Sequence, residues 1–201
     1  MLKIKTMAVA IMALFAANTA HAQVDSLATV APYAAFGYTF QDFRGAASGS
    51  SRGGGIATVG NRFSKNLAVE ISGGTFDMPL NSGGLHDISY RVDAAVIPSY
   101  SVGAFTGFVR AAVGQAGTRT DNWSFYRIEP GVSMAVTQNI TLSGSYQLRD
   151  SFDKKVNDQA GIYRAVLGYK LTKNMVFTLG YDRSTGHTKY DGYSAGLGFY
   201  F

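Results

Sequence analysis

The chain has 201 residues, a formal net charge of +5, 13% aromatic residues, 24 glycines and no cysteine. Absence of cysteine excludes a disulfide-stapled scaffold. The mild positive balance gives no concentrated basic face of the kind that binds nucleic acid. Abundant Tyr, Phe and Gly with scarce Pro suit many strands around a tight interior.

The first segment reads as an export signal. Lys3 and Lys5 precede an apolar run from Met7 to Ala17, and Ala20-His21-Ala22 supplies a small-x-small cleavage site. The run is too short to span a bilayer, which takes about 20 apolar residues. The expected organisation is a signal over 1–22 and one domain over 23–201. No other segment approaches the length of a transmembrane helix, so any crossing must be made with strands.

Beyond a short lead, period-two alternation recurs along the chain. The first strand covers Pro32 to Gln41, with Ala34, Phe36, Tyr38 and Phe40 on its apolar side. After a polar loop the second runs from about Gly54 to Phe63. It turns at Ser64-Lys65-Asn66 into a third, Leu67 to Phe76, where Leu67, Val69 and Ile71 oppose Glu70. Ile88 to Tyr100, Thr106 to Gly117 and Trp123 to Thr137 follow. Gln138-Asn139 leads into Ile140 to Asp150, and Gly161 to Thr172 comes next. Lys173-Asn174 leads into Met175 to Arg183.

The last nine residues, Tyr193 to Phe201, separate an apolar row from a row of Ser194, Gly196, Gly198 and Tyr200. Side chains on a strand point alternately to opposite faces, so the two rows look in opposite directions. An exposed edge ending in Phe-Tyr-Phe invites aggregation in water. A closed barrel in lipid uses such a strand to complete itself.

The expected fold is therefore all-β: an antiparallel up-and-down transmembrane β-barrel of ten strands, with eight as the alternative. Tight turns alternate with longer polar loops, as in bacterial outer-membrane barrels with short periplasmic turns. A soluble barrel also alternates, with its apolar face inward. The signal, the aromatic last strand and aromatics near strand ends (Tyr100, Phe105, Tyr126, Tyr163, Tyr169, Phe199) favour the membrane form.

Ser194-Ala-Gly196-Leu-Gly-Phe199-Tyr-Phe201 resembles the polar-x-Gly-x-x-aromatic-x-aromatic signal read by the barrel-assembly machinery. Asn66 to Ile71 resembles a hairpin strand carrying an inward acid. On these residues the chain resembles the small Gram-negative outer-membrane barrels of the OmpA-like transmembrane and opacity-porin type. The resemblance implies that Ser194, Gly196, Phe199 and Phe201 are assembly-recognition residues. It departs from the pattern in its extra hairpin and in having nothing after Phe201, so no cell-wall anchoring domain is expected.

With the apolar rows outward, the opposite rows collect the strand charges. Glu70, Arg91, Asp93, Arg110, Arg127, Glu129, Arg149, Arg164 and Asp182 form a candidate lumen network, with Arg62 and Lys170 on the same rows. Arg can hold a carboxylate bidentately, so a ladder of Arg–carboxylate bonds across the lumen is expected. That ladder could fill the interior, or its excess of bases could line a narrow path for small anionic solutes. Gly60, Gly114, Gly131, Gly168, Gly180 and Gly196 leave some room. Barrels of about eight strands are nevertheless filled by side chains, which favours the filled interior.

Catalysis would have to sit at the outer rim, where His86, His187, Asp150, Ser151 and Asp153 are the candidates for a hydrolase acting on lipid A or peptide. No motif joins them, and no enzyme is expected. No Cys/His cluster has metal-ligand spacing, and no cofactor is implied. Arg44, Arg52, Arg119, Lys154, Lys155, His187 and Lys189 make the outer loops basic, suited to lipopolysaccharide phosphates. Expected partners are outer-membrane lipid and lipopolysaccharide, the assembly machinery, and a host or surface ligand, without nucleic acid.

Overall fold

A computed structural model describes residues 31–44, 51–76, 88–118, 121–153, 159–185 and 189–201. Ten strands follow one another: β1 (Pro32–Phe43), β2 (Ser51–Ser64), β3 (Leu67–Phe76), β4 (Tyr90–Val102) and β5 (Phe105–Gly117), then β6 (Asn122–Ala135), β7 (Ile140–Ser151), β8 (Ala160–Lys170), β9 (Met175–Ser184) and β10 (Tyr190–Tyr200). Each pairs with its sequence neighbours, and β1 pairs with β10 from Tyr33↔Tyr200 to Phe43↔Tyr190. The sheet is thereby closed, antiparallel and free of an edge.

The expected fold is present with ten strands and not eight. Strand ends moved in places. β4 starts at Tyr90, two residues later than expected, and β10 starts at Tyr190, three residues earlier. The turn between β4 and β5 narrows to Gly103-Ala104, with Gly103 at φ +60°, a conformation that favours glycine. β2 begins at Ser51, so Arg52, expected in a loop, belongs to the wall.

The two rows of every strand face different media. Val113 and Ile71 on the outer face are 57% and 58% exposed, whereas their sequence neighbours Ala112 and Glu70 are 6% and 2% exposed. Aromatic pairs belt the outside near both ends: Phe36–Phe199 by the tight turns, and Tyr126–Phe152, Tyr146–Tyr163 and Tyr181–Tyr193 by the longer connections. No described helix is long and apolar enough to cross a membrane. The apolar belt is made by the strands.

The lumen is layered. Near the tight turns lie Tyr33, Val176 and Tyr200, and beside them Ala68, Ala95, Ile97 and Ala112 with Phe108 packed on. Near the longer connections lie two more apolar groups: Phe43, Ala160, Ile162 and Tyr190, and Ile88, Ala116, Trp123 and Phe125 with Phe76. The charged side chains occupy the space between these layers. The rows opposite the lipid-facing ones are therefore not uniformly polar. Tyr33, Phe43, Phe76, Trp123 and Phe125 all stand on the inner rows.

Candidate functional site

The middle of the lumen is built from inward residues of β3 to β9. Arg110 Nη2 on β5 lies 2.9 Å from Glu70 Oε2 on β3, donates to Ser72 Oγ at 2.9 Å and reaches Asp93 Oδ1 on β4 at 3.4 Å. Glu70 also accepts a hydrogen bond from the Tyr33 hydroxyl on β1. Arg127 Nη2 on β6 donates to Asp93 Oδ1 at 2.7 Å, and its Nη1 reaches Gln147 Oε1 at 3.4 Å. Arg91 Nε stands 3.7 Å from Asp93 Oδ2. Asp93 is thus shared by three guanidiniums.

A second group centres on Arg164 of β8. Its Nε donates to Asp182 Oδ1 at 2.7 Å, its Nη2 to Asp182 Oδ2 at 3.3 Å, and its Nη1 to Glu129 Oε1 at 2.9 Å. This is the two-pronged geometry that makes Arg–carboxylate pairs strong. Ser145 Oγ on β7 completes Glu129 at 2.8 Å. Arg149 is half-buried on the inner row of β7, directly across from Arg127 in the β6–β7 register. Glu70, Asp93, Arg110, Arg127 and Glu129 are each at most 2% exposed. A buried charge is tolerable only when paired and hydrogen-bonded, which these contacts supply.

Arg52 was expected among the solvent-facing loop bases. It sits inside the barrel, between the Phe43 and Phe76 rings at 5.1 and 5.0 Å. Its Nε donates to Gln41 Oε1 at 2.7 Å and its Nη1 to the Ile88 carbonyl at 3.2 Å. The placement has a physical reason: Arg52 shares parity with inward Gly54 and Ile56, and a flat guanidinium stacks on aromatic faces. It joins the two apolar groups that cover the outer end of the lumen.

The room expected from interior glycines is partly taken. A Cβ on Gly60 would lie 2.4 Å from the Tyr33 ring, and one on Gly131 would lie 2.3 Å from the Phe108 ring. At these two glycines the room is taken by aromatic rings lying against the wall. Arg62, at the turn end, donates from Nη1 to the Lys65 carbonyl at 2.7 Å.

Of the residues assigned to assembly, Ser194 and Gly196 face inward opposite Thr39 and Gly37 on β1. Phe199 faces outward against Phe36, and the Phe201 amide donates to the Pro32 carbonyl at 3.0 Å. Residues 1–30, where an export signal is expected, lie outside the described residues, as do His86, His187, Arg119, Lys154 and Lys155. Of the rim candidates that are described, Asp150 Oδ1 accepts from the Ser151 amide and Ser151 Oγ accepts from the Asp153 amide. Those contacts form a turn and bring no base to the serine. Among the described residues no group of His, Cys, Asp and Glu could hold a metal ion.

Sequence reasoning missed Tyr33, Ser72, Ser145 and Gln147 as members of the network, and Arg52 as part of its cover. Parity would have found the first four, since Ser72, Ser145 and Gln147 share rows with recognised inward residues and Tyr33 stands opposite the apolar row of β1. The reading followed charge and passed over neutral side chains.

No protein-family model matches the chain, and no curated protein matches it. Solved structures do. The KdgM porin superposes with a TM-score of 0.50 at 10% identity, over 84% of this chain and 99% of the porin. The NanC porin gives 0.49 at 12% identity, over 84% and 99%. At such identity the likeness speaks for the fold. Together with the closed wall and its apolar belt, it gives this chain the fold of a closed antiparallel β-barrel, here of ten strands, like that of the porin.

Proposed function

We propose that the protein is an integral barrel of a Gram-negative outer membrane, exported through a cleaved signal over residues 1–22. Its role is structural or surface-interacting, and its lumen is closed to solutes. One observation supports the closed lumen above all: five charged side chains in mid-barrel are at most 2% exposed. A water-filled channel would hydrate them, and channels of that kind need many more strands. Apolar layers on either side of the charges add to the seal.

The basic residues of the outer rim suit lipopolysaccharide phosphates, and Ser194, Gly196, Phe199 and Phe201 suit recognition during assembly. Planar-bilayer recording tests the closed lumen. Pure protein should add no stepwise conductance, whereas steady channel openings from the wild-type barrel would overturn the reading.

A second reading, a narrow porin for small anionic solutes, is favoured by the positive balance of the lumen. It predicts openings that prefer anions and that weaken when an inward arginine is removed.

A further inference from the structure

The outer face changes character at the end of the wall that carries the longer connections. Along β9 the outward side chains run Phe177, Leu179, Tyr181 and Arg183: two apolar, one aromatic, one cationic. Successive outward residues stand about 7 Å apart, so Arg183 lies one step beyond the aromatic level. Among the described residues, the outward-facing cations of this end are Arg44, Arg183 and Lys189, all on β9, β10 and β1 or at their edges. The same end of β4 to β7 presents Tyr90, Gln115, Ser124 and Asp150, and no cation. The charge is therefore confined to one side of the barrel.

In the strand register Arg183 stands between Tyr163 of β8 and Asp191 of β10, and Tyr146 of β7 follows Tyr163. Asp191 is already occupied. Arg44 Nε lies 2.9 Å from its Oδ2, and the Tyr181 hydroxyl donates to its Oδ1 at 2.6 Å. Arg44 is fixed further by a bond from Nη2 to the Ser184 carbonyl at 2.9 Å. Asp42 faces Asp191 from β1, on the side away from Arg183. The Arg44 amide donates to the Lys189 carbonyl at 2.9 Å, which sets Lys189 at the edge of the same patch. Arg183 and Lys189 are exposed, and no carboxylate stands within ion-pair distance of either among the described residues.

We propose that Arg183 and Lys189, above the outward tyrosines Tyr163 and Tyr181, hold a phosphate of a phosphorylated glycolipid in the outer leaflet, the lipid A part of lipopolysaccharide. The proposal rests on the reading of the outer rim given above and assigns it to one place. A guanidinium matches a phosphate with two parallel donors, and an ammonium adds a point charge. Tyrosines mark the boundary between hydrocarbon and headgroups, so the cation one step above them is level with headgroup phosphates. The patch also continues downward into Leu167 and Leu179 of the apolar belt. A ligand with a phosphate on top and acyl chains below matches both parts, whereas a free phosphate uses only one.

The test titrates the full barrel, in an uncharged sugar-based detergent, with lipid A and with lipid A stripped of its phosphates, and reads the bound fraction by native mass spectrometry. Wild-type protein should bind the phosphorylated form roughly tenfold tighter or more, the order of one charge-assisted hydrogen bond. Arg183→Gln should remove most of that preference and Lys189→Gln part of it, while Lys65→Gln at a tight turn should leave it unchanged. Both tested side chains are exposed, so the barrel itself is not at stake. A preference that survives in Arg183→Gln and Lys189→Gln alike would overturn this site and leave the rim reading standing. Equal binding of the two lipids by wild-type protein would overturn both. Displacement of lipid A by millimolar inorganic phosphate would make this a site for the free anion and overturn the lipid assignment.

Discussion

Arg127 on β6 bonds Asp93 on β4 at 2.7 Å and passes over β5 to do so. The same step of two strands recurs around the wall. Tyr33 on β1 holds Glu70 on β3, Arg110 on β5 holds Glu70, and Arg164 on β8 holds Glu129 on β6. Neighbouring strands are already joined by their backbones. A bond that skips one strand is a chord across the curve of the wall, and it constrains curvature as well as pairing. Side chains inside a narrow barrel converge, which brings alternate strands within reach of one another.

Asp93 is where these chords meet, so its loss should be felt most. Asp93→Asn keeps shape and removes the charge that three guanidiniums share. Breaking a buried ion pair on one side costs about 3–5 kcal/mol. Urea-dependent folding into lipid vesicles should show a loss of that order, and a cost under about 1 kcal/mol, the level of a surface pair, would contradict the buried network.

The cover over the outer lumen depends on Arg52. Arg52→Leu removes stacking on Phe43 and Phe76 together with the bonds to Gln41 and the Ile88 carbonyl. A desolvated cation–π contact and a hydrogen bond from a charged donor are worth about 2 kcal/mol each, so a stability loss of about 4 kcal/mol or more is expected. Trp123, the single tryptophan, belongs to this cover and reports on it. Acrylamide should quench its fluorescence poorly in the wild type and more strongly in the variant. Equal quenching in both would show that Arg52 seals nothing.

Phe108 can lie flat against the wall because residue 131 carries no side chain. Gly131→Ala puts a methyl group into the ring at a distance no real contact allows. Overpacking of this kind costs about 1–3 kcal/mol. Gly107→Ala faces outward on β5, where an added Cβ meets nothing closer than a carbonyl at 4.0 Å, and should be nearly neutral. Equal denaturant midpoints for the two variants would contradict the ring's placement.

Much of this was legible from alternation. Ile71 and Glu70 show why: adjacent on β3, one is exposed and the other buried, and their chemistry alone announces which is which. Charge rows indicated the wall's inner face because an ionised group in hydrocarbon is too costly to leave there. Two things were not legible. Phe43, Phe76 and Phe125 are apolar and yet inward, since a narrow lumen is filled by packing as well as by pairing; an aromatic residue carries no mark of which medium it faces. Arg52 lay in a Gly/Ser-rich stretch that reads as loop, and only its register against Gln41 places it in the wall. The partners within the charge band also needed the structure, because strand tilt and the register of closure decide which heights coincide.

On the outer face the sign reverses. Val113→Arg would place a guanidinium in the apolar belt, at a cost of about 2–4 kcal/mol if the site lies near the bilayer midplane. Folding titrations in vesicles should show it, with Val102→Arg near the turn end costing about 1 kcal/mol or less. Equal and negligible costs at the two positions would place hydrocarbon elsewhere.

Which face meets lipid can be read directly, because the chain has no cysteine of its own. Single nitroxide labels are attached through Val92→Cys, Val113→Cys and Leu148→Cys on the outer rows, and through Ser145→Cys and Ser194→Cys on the inner rows. In vesicles, the first three should collide freely with oxygen dissolved in hydrocarbon and hardly at all with a water-soluble nickel chelate. The serine positions should be shielded from oxygen. Oxygen-accessible labels at Ser145 and Ser194, with chelate-accessible labels at Val92 and Val113, would turn the barrel inside out and contradict the account at its root.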